Sequence, residues 1–137
     1  MLDHLDAAAR LYVDTFTRPP WNETWHLPDA TRRLHDMLTT PRAHAAHATA
    51  PDGTLTGFAI GHLERYGSAD HFLLQEMCVS TGHQRQGIGT RLLADLTAQM
   101  PTVTHWYLLT GRDTPAAAFY QANGFRPARL STVYVRP

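Results

Sequence analysis

Gln84-Arg85-Gln86-Gly87-Ile88-Gly89-Thr90 stands between the apolar run Phe72 to Val79 and the helical run Arg91 to Met100. That order predicts a strand, a glycine-bearing turn and a helix, which points several main-chain N–H groups and a helix N-terminus at one small volume where an anion can sit. Glycines serve such a loop because main-chain donors must approach a phosphate without intervening Cβ atoms, and because the turn can require φ > 0. The spacing narrows the ligand. A nucleoside-triphosphate loop needs G-x-x-x-x-G-K-[ST], and neither that spacing nor the lysine is present. A dinucleotide fingerprint needs a third glycine in G-x-G-x-x-G, where this chain has Leu92. A phosphate-bearing cofactor other than ATP, GTP or NAD is therefore expected.

A second segment, Asp113-Thr114-Pro115-Ala116-Ala117-Ala118-Phe119-Tyr120-Gln121-Ala122-Asn123-Gly124-Phe125, follows an expected strand at Val103 to Thr110. Asp113 or Thr114 caps a short helix, Pro115 suits its first turn, alanines propagate it, and Asn123-Gly124 closes it in a left-handed cap. The first segment fits Q/R-x-x-G-x-G/A, with Gln84, Gly87 and Gly89 in the defining positions. The second fits N-x-x-A-x-x-F-Y-x-x-x-G-F at Ala116, Phe119, Tyr120, Gly124 and Phe125, with Asp113 where asparagine is usual. In these two motifs the chain resembles the GNAT superfamily of acetyl-CoA-dependent N-acetyltransferases, over residues 54 to 126.

The resemblance implies acetyl-CoA as the acetyl donor, with no metal. The amides of Gln84, Arg85, Gln86, Gly87, Ile88, Gly89 and Thr90 would hold its pyrophosphate. Met77 and Val79 at the strand end would lie along its pantetheine arm, and Phe119 would touch it from the later helix. An amine would attack the thioester directly, a backbone N–H near Val79 would polarise the carbonyl, and Tyr120 would be the general acid near the coenzyme sulfur.

At 137 residues the expectation is one domain, 1–137, with a real core and no room for a second. Twelve basic residues, all arginine, balance twelve acidic ones, so no electrostatic footprint for nucleic acid or an anionic membrane is expected. A single cysteine, Cys78, and no apolar N-terminal stretch make a cytoplasmic location the default.

Residues Asp3 to Phe16 carry apolar residues at helical spacing, and Pro28-Asp29 opens a second helix ending before Pro41. Three strands follow at Ala43 to Ala50, Leu55 to Arg65 and Asp70 to Val79, the first two joined at Pro51-Asp52-Gly53. A helix over Gly87 to Met100, the strand Val103 to Thr110, the short helix and a last strand over Leu130 to Arg136 complete the order. The expected class is α/β, a GNAT-like mixed sheet, mostly antiparallel and flanked by helices. The resembled family usually begins with a strand, for which Met1-Leu2 leaves no room. Either that strand is missing, its place is taken by a partner or by other chain, or the true start lies upstream, and an exposed sheet edge there would be a template for pairing into a homodimer.

Glu76 is the preferred general base, because a carboxylate in an apolar strand is costly unless solvated or paired. Alternation would set it with Leu74 and Cys78 on one face, but a bulge in this strand, with Met77, Val79 and Gln75 on its two sides, would change that, so pattern alone leaves its face open, and a structural pairing with an arginine is the competing assignment. Trp21, Glu23 and Trp25 lie in the loop between the first two helices and suit a cationic amine through ring faces and charge, although both rings also suit a cap on the core. His44 and His47 should face opposite sides of a strand, and no metal-ligand spacing is present. His83 precedes the loop and could touch a phosphate, or be a solvated turn residue. His71 and His105 are alternative bases, and Cys78 is expected in the core. Two functional classes remain: transfer of acetyl to a primary amine of a small molecule, aminoglycosides among them, or of a peptide, and a non-catalytic acyl-CoA-binding sensor.

Overall fold

In the first helix, α1 (Leu5–Phe16), the residues at helical spacing form one stripe, and Ala8, Ala9, Tyr12, Thr15 and Phe16 are buried. A second stripe, Ala30, Leu34 and Met37 of α2 (Leu27–Thr39), packs beside it. Both lie on a four-stranded sheet seen here in a computed structural model that describes residues 1–137. The strands β1 (Ala43–Thr49), β2 (Leu55–Tyr66) and β3 (Ala69–Val79) are antiparallel neighbours, and β4 (His105–Tyr107) joins β3 in parallel. A third helix, α3 (Ile88–Gln99), carries the crossover from β3 to β4 that a parallel pair requires. A short α4 (Pro115–Ala122) follows.

The sheet separates two cores. Phe58, Ile60 and Cys78 face α1 and α2, while Ala46, Ala59, Phe72 and Leu74 face α3 through Ile88, Leu92 and Leu96. His44 lies on the α3 side, with Nδ1 3.0 Å from Gln99 Oε1, and the His47 ring lies against that of His4 at 4.4 Å, tilted by 39°, so the two histidines do face opposite ways. No strand precedes α1. A 3-10 turn, Leu2–His4, stands there instead, and the Gln99 amide donates to Ala45 O (2.9 Å), which partly occupies that edge from within the chain. No helix is long and apolar enough to cross a membrane.

The pairing of β2 with β3 contains a bulge next to Glu76, which settles the face that the pattern left open. Ile60 pairs with Glu76 and Gly61 with Leu74, so Gln75 is the extra residue on β3. It puts Leu74 and Cys78 on opposite faces despite their even spacing, which corrects the simple alternation, and Glu76 follows Cys78 toward α1 and α2. Gly61 is required opposite the bulge. A Cβ there would stand 2.3 Å from Leu73 O and 2.4 Å from the Phe72 ring.

Two expected strands are corrected. The strand at 103–110 is regular only over His105–Tyr107, because its pairing with β3 ends at Leu73/Tyr107 and leaves Leu108 to Thr110 without a ladder. The strand at 130–136 does not form, because no neighbouring strand accepts it, and its apolar residues stand in solvent. Replacing Gly61 by alanine should force backbone and Phe72 to move at the bulge, lowering stability by about 2–3 kcal/mol and the thermal midpoint by about 5–10 °C. Differential scanning calorimetry checks this, and an unchanged midpoint would mean that the close approach is not tight.

Candidate active site

The loop between β3 and α3 has the conformation its glycines allow. Gly87 is the N-cap of α3 with φ +77°, in open space, so glycine is needed for its backbone. Gly89 is needed for a different reason: a Cβ on it would lie 2.7 Å from Phe119 Cζ. The two sequence motifs are therefore one packing unit, the Phe119 ring of α4 resting on the first turn of α3. None of the main-chain N–H groups from Gln84 to Thr90 donates to a main-chain or side-chain acceptor, the first bond of the turn being Arg91 N–H to Gly87 O at 3.0 Å. Seven consecutive residues at a helix N-terminus thus keep their main-chain donors free, a condition that an anion site requires. The Gln84 amide bends back and donates to Val79 O (3.3 Å), which ties the loop to the end of β3. His83 is half-buried beside the loop, with no partner for Nδ1.

The second part of the site is a wedge. β4 pairs with β3 only from His71/His105 to Leu73/Tyr107, so Leu74 to Val79 lack a strand on the β4 side. Met77 and Val79 lean to the α3 side of this opening, Glu76 to the other.

Glu76 is 13% exposed at its side chain and sits 3.3 Å from Nη2 of Arg33, whose own side chain is 42% exposed. Burial raises the Glu76 pKa above the ordinary carboxylate value, and Arg33 opposes that rise. Burial, and then the Glu76 charge, push the Tyr12 phenol far above its usual range. Arg33 also covers the face of Trp25 at 5.8 Å, and Trp25 Nε1 donates to Glu23 Oε1 at 2.8 Å. Glu76, Arg33, Tyr12, Trp25 and Glu23 thus form one cluster. Trp21 is outside it, edge-on to Phe16 at 5.1 Å on the α1–α2 core. Tyr12 and Arg33 were not singled out from sequence: Tyr12 read as one of the apolar residues of α1, and nothing distinguishes Arg33 from Arg32 before the helices are placed.

Tyr120 is half-buried between Phe119 (5.2 Å) and Phe125 (5.6 Å). Its phenol is pushed up to about 12 by burial, with the Glu76 charge adding to the rise. Thr114, rather than Asp113, caps α4, its Oγ1 accepting from Ala117 N–H (3.1 Å), and Gly124 closes the helix at φ +91° with Phe125 N–H bonded to Tyr120 O (3.0 Å). His71 and His105 stack on each other at 4.0 Å, about 16 Å along β3 from Glu76 at ~3.3 Å per residue. Cys78 is buried in the α1–α2 core, its thiol pushed up to about 12 by burial, which leaves it unreactive. No group of three or more His, Cys, Asp or Glu is placed to hold a metal ion.

Residues 43–127 match the family model described as "Acetyltransferase (GNAT) domain". No curated protein matches the chain by sequence. Among solved structures, one described as a "probable acetyltransferase" is similar at 22% identity and TM-score 0.80, over 100% of this chain and 93% of the other. An aminoglycoside acetyltransferase from an uncultured soil metagenomic sample, in complex with sisomicin, is similar at 15% identity and TM-score 0.70, over 99% and 88%. A ribosomal-protein-alanine N-acetyltransferase from Brucella melitensis biovar Abortus 2308 is similar at 19% identity and TM-score 0.72, over 98% and 94%. At these identities the likeness speaks to the fold.

The packing of Gly89 under Phe119 gives a double-mutant test. Gly89→Ala should cost about 1–3 kcal/mol of stability alone, and adding Phe119→Leu should recover part of that loss by removing the struck ring atoms. Urea unfolding measures both, and strictly additive effects would show that the two motifs are not in contact.

Proposed function

The chain belongs to the GNAT acetyltransferase family and is an acyltransferase, and we propose that it transfers acetyl from acetyl-CoA to a primary amine by direct attack. The observation that carries the proposal is the joint presence of the free-amide cradle at Gln84 to Thr90 and a buried carboxylate, Glu76, across an unpaired strand end. The cradle fits the cofactor, since a pyrophosphate would find donors without Cβ atoms in its way at Gly87. When bound, acetyl-CoA supplies a thioester carbonyl as electrophile and a thiolate as leaving group.

This chain's residues then divide the work. Gln84, Arg85, Gln86, Gly87, Ile88, Gly89 and Thr90 bind the pyrophosphate, Met77 and Val79 line the arm, and Phe119 holds the loop in shape. Glu76 takes a proton from the incoming ammonium, directly or through a water, and its raised pKa brings it nearer to neutral as a base. The amine lone pair forms the C–N bond while the C–S bond breaks. Tyr120, whose phenol burial pushes up to about 12 and so keeps protonated near neutral pH, gives its proton to the thiolate and regains one from the new amide nitrogen. Trp25 and Glu23 border the acceptor, with Trp21 behind them, and Arg33 fixes the orientation of Glu76. The acceptor is a small molecule or a peptide, supported by the fold similarity to an aminoglycoside acetyltransferase and to a ribosomal-protein-alanine N-acetyltransferase.

Thiol release followed over an amine panel tests the proposal. Glu76→Gln and Tyr120→Phe should each lower kcat by roughly 10²-fold with coenzyme affinity nearly unchanged. The acid limb of the rate profile should lie above the ordinary carboxylate range, because the burial-raised Glu76 must lose its proton to act, and Glu76→Gln should abolish that limb. Turnover unaffected by either substitution would overturn the assigned roles, and coenzyme binding with no turnover on any amine would favour the acyl-CoA sensor.

A further inference from the structure

The layer formed by α1 and α2 covers only part of its face of the sheet. Its core reaches Phe58 and Ile60 on β2 and Cys78 on β3, and goes no further along these strands. Alternation carries the same face on through His62, Glu64 and Tyr66 of β2. Across the ladder Glu64 stands opposite His71 and His62 opposite Leu73, with His105 and Tyr107 next to these on β4. Their side chains share the face: the Tyr66, His71 and His105 rings form a row at 4.3 and 4.0 Å, and the Tyr107 hydroxyl donates to Glu64 Oε1 at 2.5 Å.

This bare strip begins at Glu76. Ile60, the β2 partner of Glu76, is four residues from Glu64, which sets the two carboxylates about 13 Å apart at ~3.3 Å per residue. Glu76 has Arg33, whereas no arginine reaches Glu64, the one basic group within 4.0 Å being His62 Nε2. The Glu64 side chain is 39% exposed and Tyr107 uses one of its oxygens, so the other is open to a donor from solution. Tyr66, 68% exposed, stacks one ring face on His71 and leaves the other free for a cation. Charge is divided along the chain in the same sense: residues 1–76 carry ten acidic side chains and six arginines, residues 77–137 two and six. The part that supplies α1, α2 and both carboxylates therefore attracts cations, although the chain as a whole is neutral.

We propose that Glu64 is a distal cation subsite for the acceptor, and that the acceptor is a linear oligoamine with a second charged nitrogen ~13 Å from the reacting one. The inference rests on the acetyl-transfer reading, which puts the reacting amine at Glu76. Between the two carboxylates the floor is Leu73, with His62 Nδ1 and Gln75 Oε1 already engaged with each other at 3.2 Å, so methylenes cross it without stranding a polar group. A peptide fits less well. The N–H and C=O groups of a sheet point toward neighbouring strands, so a main chain laid on its face finds no partners.

Spermine, spermidine, putrescine and butylamine are the probes, of which only the first two carry a charged nitrogen far from the reacting end. Calorimetric titration of the full chain in the presence of coenzyme A should show spermine and spermidine binding at least ~10-fold tighter than butylamine. Glu64→Gln removes the charge and His105→Arg puts a guanidinium beside it, and each should abolish that preference while circular dichroism stays native-like. Glu64→Asp, which keeps the charge, should keep part of it. In thiol-release assays the loss should lie in KM and not in kcat. Equal affinity for all four amines overturns the proposal, as does a preference that survives both substitutions in folded protein. An arginine-rich peptide held more tightly than spermine, and released by Glu64→Gln, also overturns it and gives the strip to a peptide. Because binding is read without turnover, spermine held through Glu64 but never acetylated supports the subsite and counts against the proposed reaction.

Discussion

One extra residue in β3 governs the arrangement of the site. By placing Gln75 between the partners of Ile60 and Gly61, the bulge reverses the faces of everything that follows it, so that Glu76 and Cys78 turn toward α1 and α2 while Met77 and Val79 turn toward α3. Without it, Glu76 would point into the apolar core under α3, where no cation waits for it. With it, the carboxylate meets Arg33 and Tyr12 at the rim of the helix layer. The same residue pair demands glycine at position 61, because the Phe72 ring occupies the space a side chain would need.

A second constraint joins regions distant in sequence. Gly89 lies under the Phe119 ring, and the Schellman closure of α4 at Gly124 returns the chain so that Phe125 meets Tyr120 and, at 6.5 Å, Trp106. The loop before α3, the aromatic helix and β4 are therefore joined through one packed cluster. This packing anchors the first turn of α3 without using any of the hydrogen-bonding capacity of the loop amides.

Local chemistry made most of this legible in the sequence. The caps at Thr114 and Gly124, the turn at Pro51-Asp52-Gly53 and the glycines of the loop each announce a backbone conformation that few other residues adopt, and the helices and the first three strands lie close to where periodicity puts them. The failures are where tertiary partners decide. The segment 130–136 has strand composition but no neighbour in its own chain to pair with, and composition alone cannot supply one. Glu76 could not be assigned a face until the pairing register fixed the bulge. Arg33 carries no local mark at all, since its partner is 43 residues away in sequence.

The proposed role of the loop from Gln84 to Thr90 is to receive the pyrophosphate of acetyl-CoA. Calorimetric titration of the purified chain with acetyl-CoA tests it most directly. Saturable binding of one molecule per chain, lost when Gly87 is replaced by valine but retained when Val133 is replaced by proline, is the predicted result. An absence of binding heat at every coenzyme concentration tried, with the chain folded, would contradict it.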